Sequence, residues 1–106
     1  MKKLEPLQAE EIRKKHTPDW EMRKGTYLYK QVSFDDYNQT LRFFMDIEEA
    51  QVKLDHFADF MFFYNEVTIA ITTHDVGGLT DLDFELALYI DASLDQMGAK
   101  PPERQV

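Results

Sequence analysis

The sequence predicts an α+β fold of two layers, in which three helices cover one face of an antiparallel sheet. Three segments have the apolar spacing of amphipathic helices, and two pairs of short apolar or alternating segments indicate strands. A short turn that contains Gly or Asn joins the members of each pair, which is typical of β-hairpins. The predicted order is therefore helix, hairpin, helix, hairpin, helix, within a single domain that spans residues 1–106.

The N-terminal part predicts a short helix followed by the first hairpin. Residues 8–15 are strongly charged and have a narrow apolar side, as in a surface helix. Residues 20–22 alternate apolar and polar side chains, and residues 27–32 again have strand composition. Lys24-Gly25 lies between these strands and predicts the turn, because Gly accepts a positive φ.

A long second helix is predicted from Tyr37 to about Leu54. The preceding residues, Ser33-Phe34-Asp35-Asp36, match a capping box in which the Ser33 hydroxyl caps the helix and an acid stands three residues later. Apolar side chains then recur at helical spacing and define a wide face, which consists of Tyr37, Leu41, Phe43, Phe44, Ile47, Ala50 and Leu54.

The second hairpin is predicted from two strands of different character. Residues 60–64 are apolar without strict alternation, which predicts a strand that is covered on both faces, one of them by another subunit. Residues 67–71 alternate Val and Ile with Thr and Ala and give the clearest strand pattern of the chain. Asn65-Glu66 predicts the tight turn that joins the two strands.

A third helix follows Gly77-Gly78, which ends the second hairpin. Thr80 and Asp83 have the spacing of a capping box, and the apolar stripe after them includes Leu82, Leu86 and Ile90. From Gly98 to Val106 the chain contains two consecutive prolines, and we expect a frayed tail.

Composition and charge exclude several classes of function. The net charge is −8, so the surface repels phosphate backbones and anionic membranes. The chain has no cysteine, which excludes disulfides, thiolate metal sites and thiol nucleophiles. The N-terminus lacks the apolar stretch of a signal peptide, and no run of apolar residues is long enough to span a bilayer. We therefore expect a cytoplasmic protein that binds neither nucleic acid nor membrane.

Two of the three histidines lie where sites are commonly built. His56 follows the long helix and His74 follows the clearest strand, whereas His16 lies among surface charges. Two converging imidazoles would act as general acid and general base near neutral pH. From the residues alone, a structural or exposed role is the more common one for such histidines. Asp55 and Asp75 could add oxygen ligands, but their spacing is not diagnostic, and we expect no metal site.

Several motifs resemble those of the pterin-4a-carbinolamine dehydratase family, also called 4a-hydroxytetrahydrobiopterin dehydratases. The most specific is the run Thr-Thr-His-Asp-Val-Gly-Gly-Leu-Thr at residues 72–80. The resemblance extends over nearly the whole chain, from about Trp20 to Ser93. The other stretches that fit the family are Trp20, residues 29–50, Lys53-Leu54-Asp55-His56, Tyr64-Asn65-Glu66-Val67 and Asp83.

The resemblance implies proton-transfer chemistry without a metal or an organic cofactor. Enzymes of this family are lyases that dehydrate a 4a-hydroxytetrahydropterin to the quinonoid dihydropterin. In the family, an acidic residue, a His-His-Pro triplet four positions later and a further histidine line the pterin pocket. His56 matches the first histidine of the triplet and His74 the later one, which implies an acid/base pair. The residues implied to contact the pterin are Asp55, Phe57, Thr72, Thr73 and Asp75.

Three positions of this pocket depart from the family pattern. Phe57 replaces the second histidine, Ala58 replaces the proline, and Val52 replaces the acid. A phenyl ring stacks on a flat heterocycle but cannot exchange a proton. The loss of one of several cooperating acid/base groups commonly costs about 100-fold or more in rate. The substitutions therefore predict a weakened or abandoned reaction, although His56 and His74 would still support slow turnover.

Two functions follow from the resemblance, and we favour the first. In the first, the chain is a homodimeric, non-catalytic scaffold or chaperone that resembles RuBisCO assembly factors, with RuBisCO subunits as the implied client. In the second, it is an active dehydratase that binds a pterin and uses His56 and His74. The ring-rich residues 57–63 suit contact with a protein client, but equally an ordinary core or dimer interface. Neighbouring RuBisCO or carboxysome genes would favour the first function, and genes for aromatic amino acid hydroxylases the second.

Overall fold

The computed structural model describes residues 2–102, and its elements confirm the predicted order. One sheet contains four strands, and every neighbouring pair of strands is antiparallel, as predicted. The elements are α1 (Pro6–His16), β1 (Glu21–Arg23), β2 (Tyr27–Ser33), α2 (Tyr37–Leu54), β3 (Asp59–Phe62), β4 (Glu66–Ile71), a 3-10 turn (His74–Val76) and α3 (Asp81–Met97). The strand order is β1-β2-β4-β3, so the two hairpins meet where β2 pairs with β4.

The core lies between the helices and one face of the sheet. In β4, Val67, Ile69 and Ile71 are buried, and their register partners in β2 include the buried Leu28 and Val32. The helices and the segment after α1 complete the core with Ala9, Trp20, Phe43, Ile47, Leu86, Ala87, Ile90 and Leu94. All three helices therefore contribute to one core, which confirms the predicted α+β class. None of the helices within residues 2–102 is long and apolar enough to cross a membrane.

The cap of α2 differs from the predicted one. The side chain of Asp36 accepts a hydrogen bond from the backbone N–H of Gln39 at 2.9 Å, so Asp36 is the N-cap. Ser33, predicted for that role, is the last residue of β2 and pairs with Glu66 of β4. Its hydroxyl donates instead to the carbonyl of Pro101 at 2.7 Å. The prediction was wrong because β2 continues to Ser33, and the chain needs three further residues to leave the sheet.

The second hairpin and the tail also differ from the prediction. The predicted turn Asn65-Glu66 was wrong, because Glu66 already begins β4 and the turn consists of Tyr64 and Asn65. β3 ends at Phe62, because the backbone N–H of Phe63 donates to the carbonyl of Glu66 at 2.9 Å and closes the turn before β4.

The start of the tail, up to residue 102, is bound to the sheet and not frayed as predicted. Lys100 and Ser33 exchange backbone hydrogen bonds of 2.8 and 2.9 Å. The rest of the predicted tail, residues 103–106, lies outside the described residues.

Candidate functional site

Two segments at one end of the second hairpin contain the residues predicted for the site. Residues 55–58 connect α2 to β3, and residues 72–80 connect β4 to α3. Asp59 and Ala70 are register partners at that end of the hairpin, so the two segments leave the sheet side by side. The register thus accounts for why motifs that are separated in the sequence meet in the fold.

His56 lies at the inner side of the first segment. Asp55 ends α2 in the left-handed conformation with φ 50°, and the backbone N–H of His56 then donates to the carbonyl of Gln51 at 3.0 Å. The imidazole Nε2 lies 2.6 Å from Oδ1 of Asp83, and the side chain of His56 is only 10% exposed. The ring is therefore packed inside the protein and bound to a carboxylate of α3.

Asp83 joins His56 to the start of α3. Its second oxygen, Oδ2, accepts hydrogen bonds from the Thr73 hydroxyl at 2.7 Å and from the backbone N–H of Thr80 at 2.8 Å. The hydroxyls of Thr73 and Thr80 are themselves 2.9 Å apart. Thr80 and Asp83 form the predicted capping box, and an acid in the first turn also interacts favourably with the helix dipole. We refer to His56, Thr73, Thr80 and Asp83 together as the Asp83 network.

The connection that carries His56 is also fixed from α2. The buried side chain of Gln51 accepts a hydrogen bond from the backbone N–H of Ala58 through Oε1 at 2.8 Å. Between the two fixed residues His56 and Ala58, the side chain of Phe57 points outward, and Phe57 is 55% exposed. The position at which the family pattern has a second histidine therefore presents an apolar ring to the solvent.

His74 lies in a different environment from His56. It begins the 3-10 turn, and its side chain is 76% exposed. Nε2 of His74 lies 3.9 Å from Oδ2 of the equally exposed Asp59, which is a weak contact in solvent. Asp55 and Asp75 are exposed as well. The hydroxyl of Thr72 donates to the carbonyl of Thr26 at 2.6 Å and thereby joins the second segment to the first hairpin.

The structure brings together only part of the predicted set. His56 and Thr73 meet at Asp83, whereas His74, Asp75 and Phe57 lie at the surface. Their roles as acid, base or pterin contacts stay predictions. Sequence reasoning identified Asp83 as a cap but missed it as the partner of His56. Two signals were available for Asp83, its capping position after residues 72–80 and its match to the family pattern, but neither indicates a partner in a distant loop.

Two concave surfaces lie away from these residues. A cleft of about 460 Å³ is bordered by the first hairpin, the end of α3 and the tail, and a groove of about 660 Å³ separates α2 from α3. None of the residues predicted for the site lines either of them. Among residues 2–102, no three His, Asp or Glu side chains are grouped so that they could hold a metal ion.

Comparison with known sequences identifies close relatives. A family model described as Pterin 4 alpha carbinolamine dehydratase matches residues 5–93. A putative pterin-4-alpha-carbinolamine dehydratase of Saccharolobus solfataricus is 43% identical over 70 residues, which cover 66% of this chain and 72% of the relative. A protein of the same description from Sulfurisphaera tokodaii is 36% identical over 94 residues, which cover 89% of this chain and 99% of the relative.

Solved structures show the same fold at lower identity. A transcriptional coactivator/pterin dehydratase from Brucella melitensis superposes with a TM-score of 0.80 at 24% identity, over 87% of this chain and 98% of that one. A pterin dehydratase-like protein identified as a RuBisCO assembly factor in the alpha-carboxysome superposes with a TM-score of 0.62 at 19% identity, over 74% of this chain and 92% of that one. With a family model that matches most of its length, this chain belongs to the pterin 4 alpha carbinolamine dehydratase family.

Proposed function

We propose that this chain is a non-catalytic member of its family, and that it acts as a homodimeric scaffold in the assembly of another protein. The observation that carries the proposal is the position of His56 in the Asp83 network. This position gives His56 a structural role, because loss of the ring would leave Asp83 partly unsatisfied. The presence of His56 is thus accounted for without catalysis.

The surroundings of His56 support the same proposal. Phe57 offers no group that exchanges a proton, and His74 is open to solvent, where water competes for its hydrogen bonds. General acid/base catalysis needs groups held within hydrogen-bond reach of the substrate. An exposed histidine and an exposed phenyl ring beside a buried imidazole are better suited to a contact surface than to such a reaction.

An apolar surface along α2 and β3 suggests a place for the second subunit. On α2, a sector next to the one that faces the core is exposed and mostly apolar, and it includes a single acid, Glu48. Ring contacts join this sector to the second hairpin: the centroids of Phe44 and Phe62 are 5.2 Å apart, and those of Tyr37 and Tyr64 are 5.7 Å apart. We define the α2–β3 surface as Tyr37, Leu41, Phe44, Met45, Val52, Phe62 and Tyr64, all of which are exposed.

The edge of β3 indicates a second copy as the occupant of this surface. Phe63 bonds to Glu66 of β4, and because antiparallel pairs alternate, the backbone groups of Phe60 and Phe62 point away from β4. An edge strand is complementary to its own copy in antiparallel orientation, so a two-fold axis beside β3 would join the two sheets. The same axis would bring the two apolar sectors of α2 together.

The client is proposed from the precedent of the RuBisCO assembly factor that shares this fold. We propose RuBisCO subunits as the client class, with the faces that remain free in the dimer available for binding. Size-exclusion chromatography of purified chain with purified large and small subunits should give a stoichiometric complex. An unrelated acidic protein of similar size serves as the control. If neither subunit co-elutes at micromolar concentration, the client assignment is wrong.

The absence of catalysis is tested separately with the wild-type chain. In a dehydration assay with a 4a-hydroxytetrahydropterin, the chain should not exceed the rate in buffer. The double variant Val52→Glu, Phe57→His restores the acid and the second histidine, keeps the Ala58 N–H that binds Gln51, and should accelerate the reaction. A wild-type rate well above that in buffer would contradict the proposal and support the second function.

One observation favours that second function, an active dehydratase. A carboxylate bound to an imidazole orients the ring, an arrangement that many acid/base sites use. On this alternative, His56 and His74 would transfer the two protons of the dehydration. His56→Gln and His74→Gln would then each lower the rate about 100-fold or more, whereas the exposed His16→Gln would not change it.

A further inference from the structure

We infer that Asp83 is a positioning residue that sets the tautomer of His56, with a proton fixed at Nε2 and Nδ1 left as the atom that accepts a proton or a hydrogen bond. The inference goes beyond the proposed function, because it concerns the state of the ring whether or not the chain turns over a substrate. It starts from the distance of 2.6 Å between Nε2 and Oδ1 of Asp83.

The donors around Asp83 determine the direction of each hydrogen bond. The backbone N–H of Thr80 can only donate, and it occupies Oδ2 at 2.8 Å. The Thr73 hydroxyl donates to the same oxygen at 2.7 Å, so the Thr80 hydroxyl is left to donate to Thr73. These two donors leave Oδ1 as the only oxygen of Asp83 that could carry a carboxyl proton. A carboxyl group is a stronger acid than an imidazolium, so the hydrogen shared with Oδ1 stays on the ring. Nε2 of His56 must therefore carry the hydrogen that it shares with Oδ1.

This arrangement leaves Nδ1 as the ring nitrogen that can accept a proton or a hydrogen bond. In the neutral ring one nitrogen donates and the other accepts, so a proton at Nε2 makes Nδ1 the acceptor. Among residues 2–102, the hydrogen bond of the His56 ring is the one at Nε2. Nδ1 is not one of the buried side-chain atoms that lack a partner, so the small exposed area of the side chain includes this atom. A ligand that reaches the ring from outside would meet Nδ1 as an acceptor, and the matching ligand group is a hydroxyl or an N–H donor.

Asp83→Asn separates this role from a merely structural one. The amide must still offer its oxygen to the backbone N–H of Thr80, which turns its NH₂ group toward His56. An amide NH₂ group that faces Nε2 can bond only to an unprotonated Nε2. The ring proton should therefore move to Nδ1, which reverses the tautomer. Asp81→Asn changes an exposed acid two residues earlier in α3 and is the matched control.

Two-bond ¹⁵N–¹H correlation spectra of the histidine rings measure the tautomer directly. The chain has three histidines, and His16→Gln and His74→Gln assign their signals. At a pH where the ring is neutral, the wild-type chain and Asp81→Asn should show a protonated Nε2 and a bare Nδ1 for His56. Asp83→Asn should show the reverse pattern.

A proton on Nδ1 of His56 in the neutral wild-type ring would overturn the inference, and so would an unchanged tautomer in folded Asp83→Asn. If Asp83→Asn does not fold, Thr73→Val is the second variant, because it removes one donor from Oδ2 and leaves Oδ1 untouched. It should retain the Nε2–H tautomer, and the opposite tautomer would count against the inference. These spectra do not depend on activity or on a client, so their outcome is separate from that of the proposed function.

Discussion

The indole Nε1 of Trp20 donates a hydrogen bond of 2.8 Å to Oδ1 of Asp91, and the ammonium group of Lys30 binds the same oxygen at 2.9 Å. One carboxylate of α3 thereby holds the start of the first hairpin and the middle of β2. The indole ring is buried, and Lys30 and Asp91 are only partly exposed, so water does not readily replace these bonds.

Asp91→Ala should therefore destabilise the chain markedly. It leaves the donors of Trp20 and Lys30 without their acceptor, which costs about 1–3 kcal/mol of the free energy of unfolding. Urea unfolding followed by the fluorescence of Trp20 measures the change. Asp95→Ala, one turn later on α3 and exposed, is the control and should stay within about 0.5 kcal/mol of wild type. Equal effects of the two substitutions would contradict the structural role of Asp91.

The two histidines of the family motif should differ in their effect on stability. His56→Ala leaves Oδ1 of Asp83 buried without its donor, which costs about 1–3 kcal/mol in addition to the cavity. His74→Ala removes an exposed side chain and should stay within about 0.5 kcal/mol of wild type. Chemical denaturation measures both variants, and a larger loss for His74→Ala would refute the buried role of His56.

The neighbouring glycines of the second segment provide a matched pair. Gly77 has φ 64°, so Gly77→Ala forces a left-handed conformation that costs roughly 1–2 kcal/mol for a residue with a Cβ. At Gly78 a Cβ would lie 2.7 Å from Cε of Lys3, which is the mobile end of a long side chain. Gly78→Ala should therefore cost less than Gly77→Ala, and Lys3→Ala should remove most of that smaller cost. Thermal unfolding measures both losses of stability. A larger loss for Gly78→Ala than for Gly77→Ala would contradict these backbone conformations.

The proposed dimer is tested by two equally exposed leucines. Leu41 on the α2–β3 surface is 46% exposed, and Leu88 on α3 is 47% exposed. Leu41→Glu would place two like charges across the two-fold axis and bury them against apolar side chains. Both effects should convert the dimer to a monomer. Leu88→Glu lies outside that surface and should leave the dimer intact. Light scattering after size-exclusion chromatography gives the masses, and a wild-type chain that is monomeric at micromolar concentration would refute the dimer.

Local patterns were sufficient to predict the elements. Thr80 and Asp83 lie three residues apart, so their capping box depends only on near neighbours and is confirmed. The alternation of residues 67–71 and the order of hairpins and helices are confirmed for the same reason, because each depends on short-range spacing.

Contacts between distant residues were not predictable in the same way. The cap of α2 was assigned to Ser33 because the pattern does not reveal that β2 extends to that residue. The tail was expected to fray because its bonds to Ser33 join residues far apart in the chain. The bond between His56 and Asp83 spans 27 residues, and neither side chain is unusual in its own segment. In each case the partner is set by tertiary packing rather than by local preference.

The strand order also determines how the chain must fold. Each hairpin closes a short loop, but the pairing of β2 with β4 joins residues as distant as Leu28 and Ile71, with the whole of α2 and β3 between them. Closing this long loop costs entropy before the contacts can compensate for it, and isolated two-stranded hairpins are only marginally stable in water. During synthesis the aromatic residues around Phe60 therefore leave the ribosome before the central strand pair can form, and the core cannot be completed until β4 has emerged with Val67, Ile69 and Ile71.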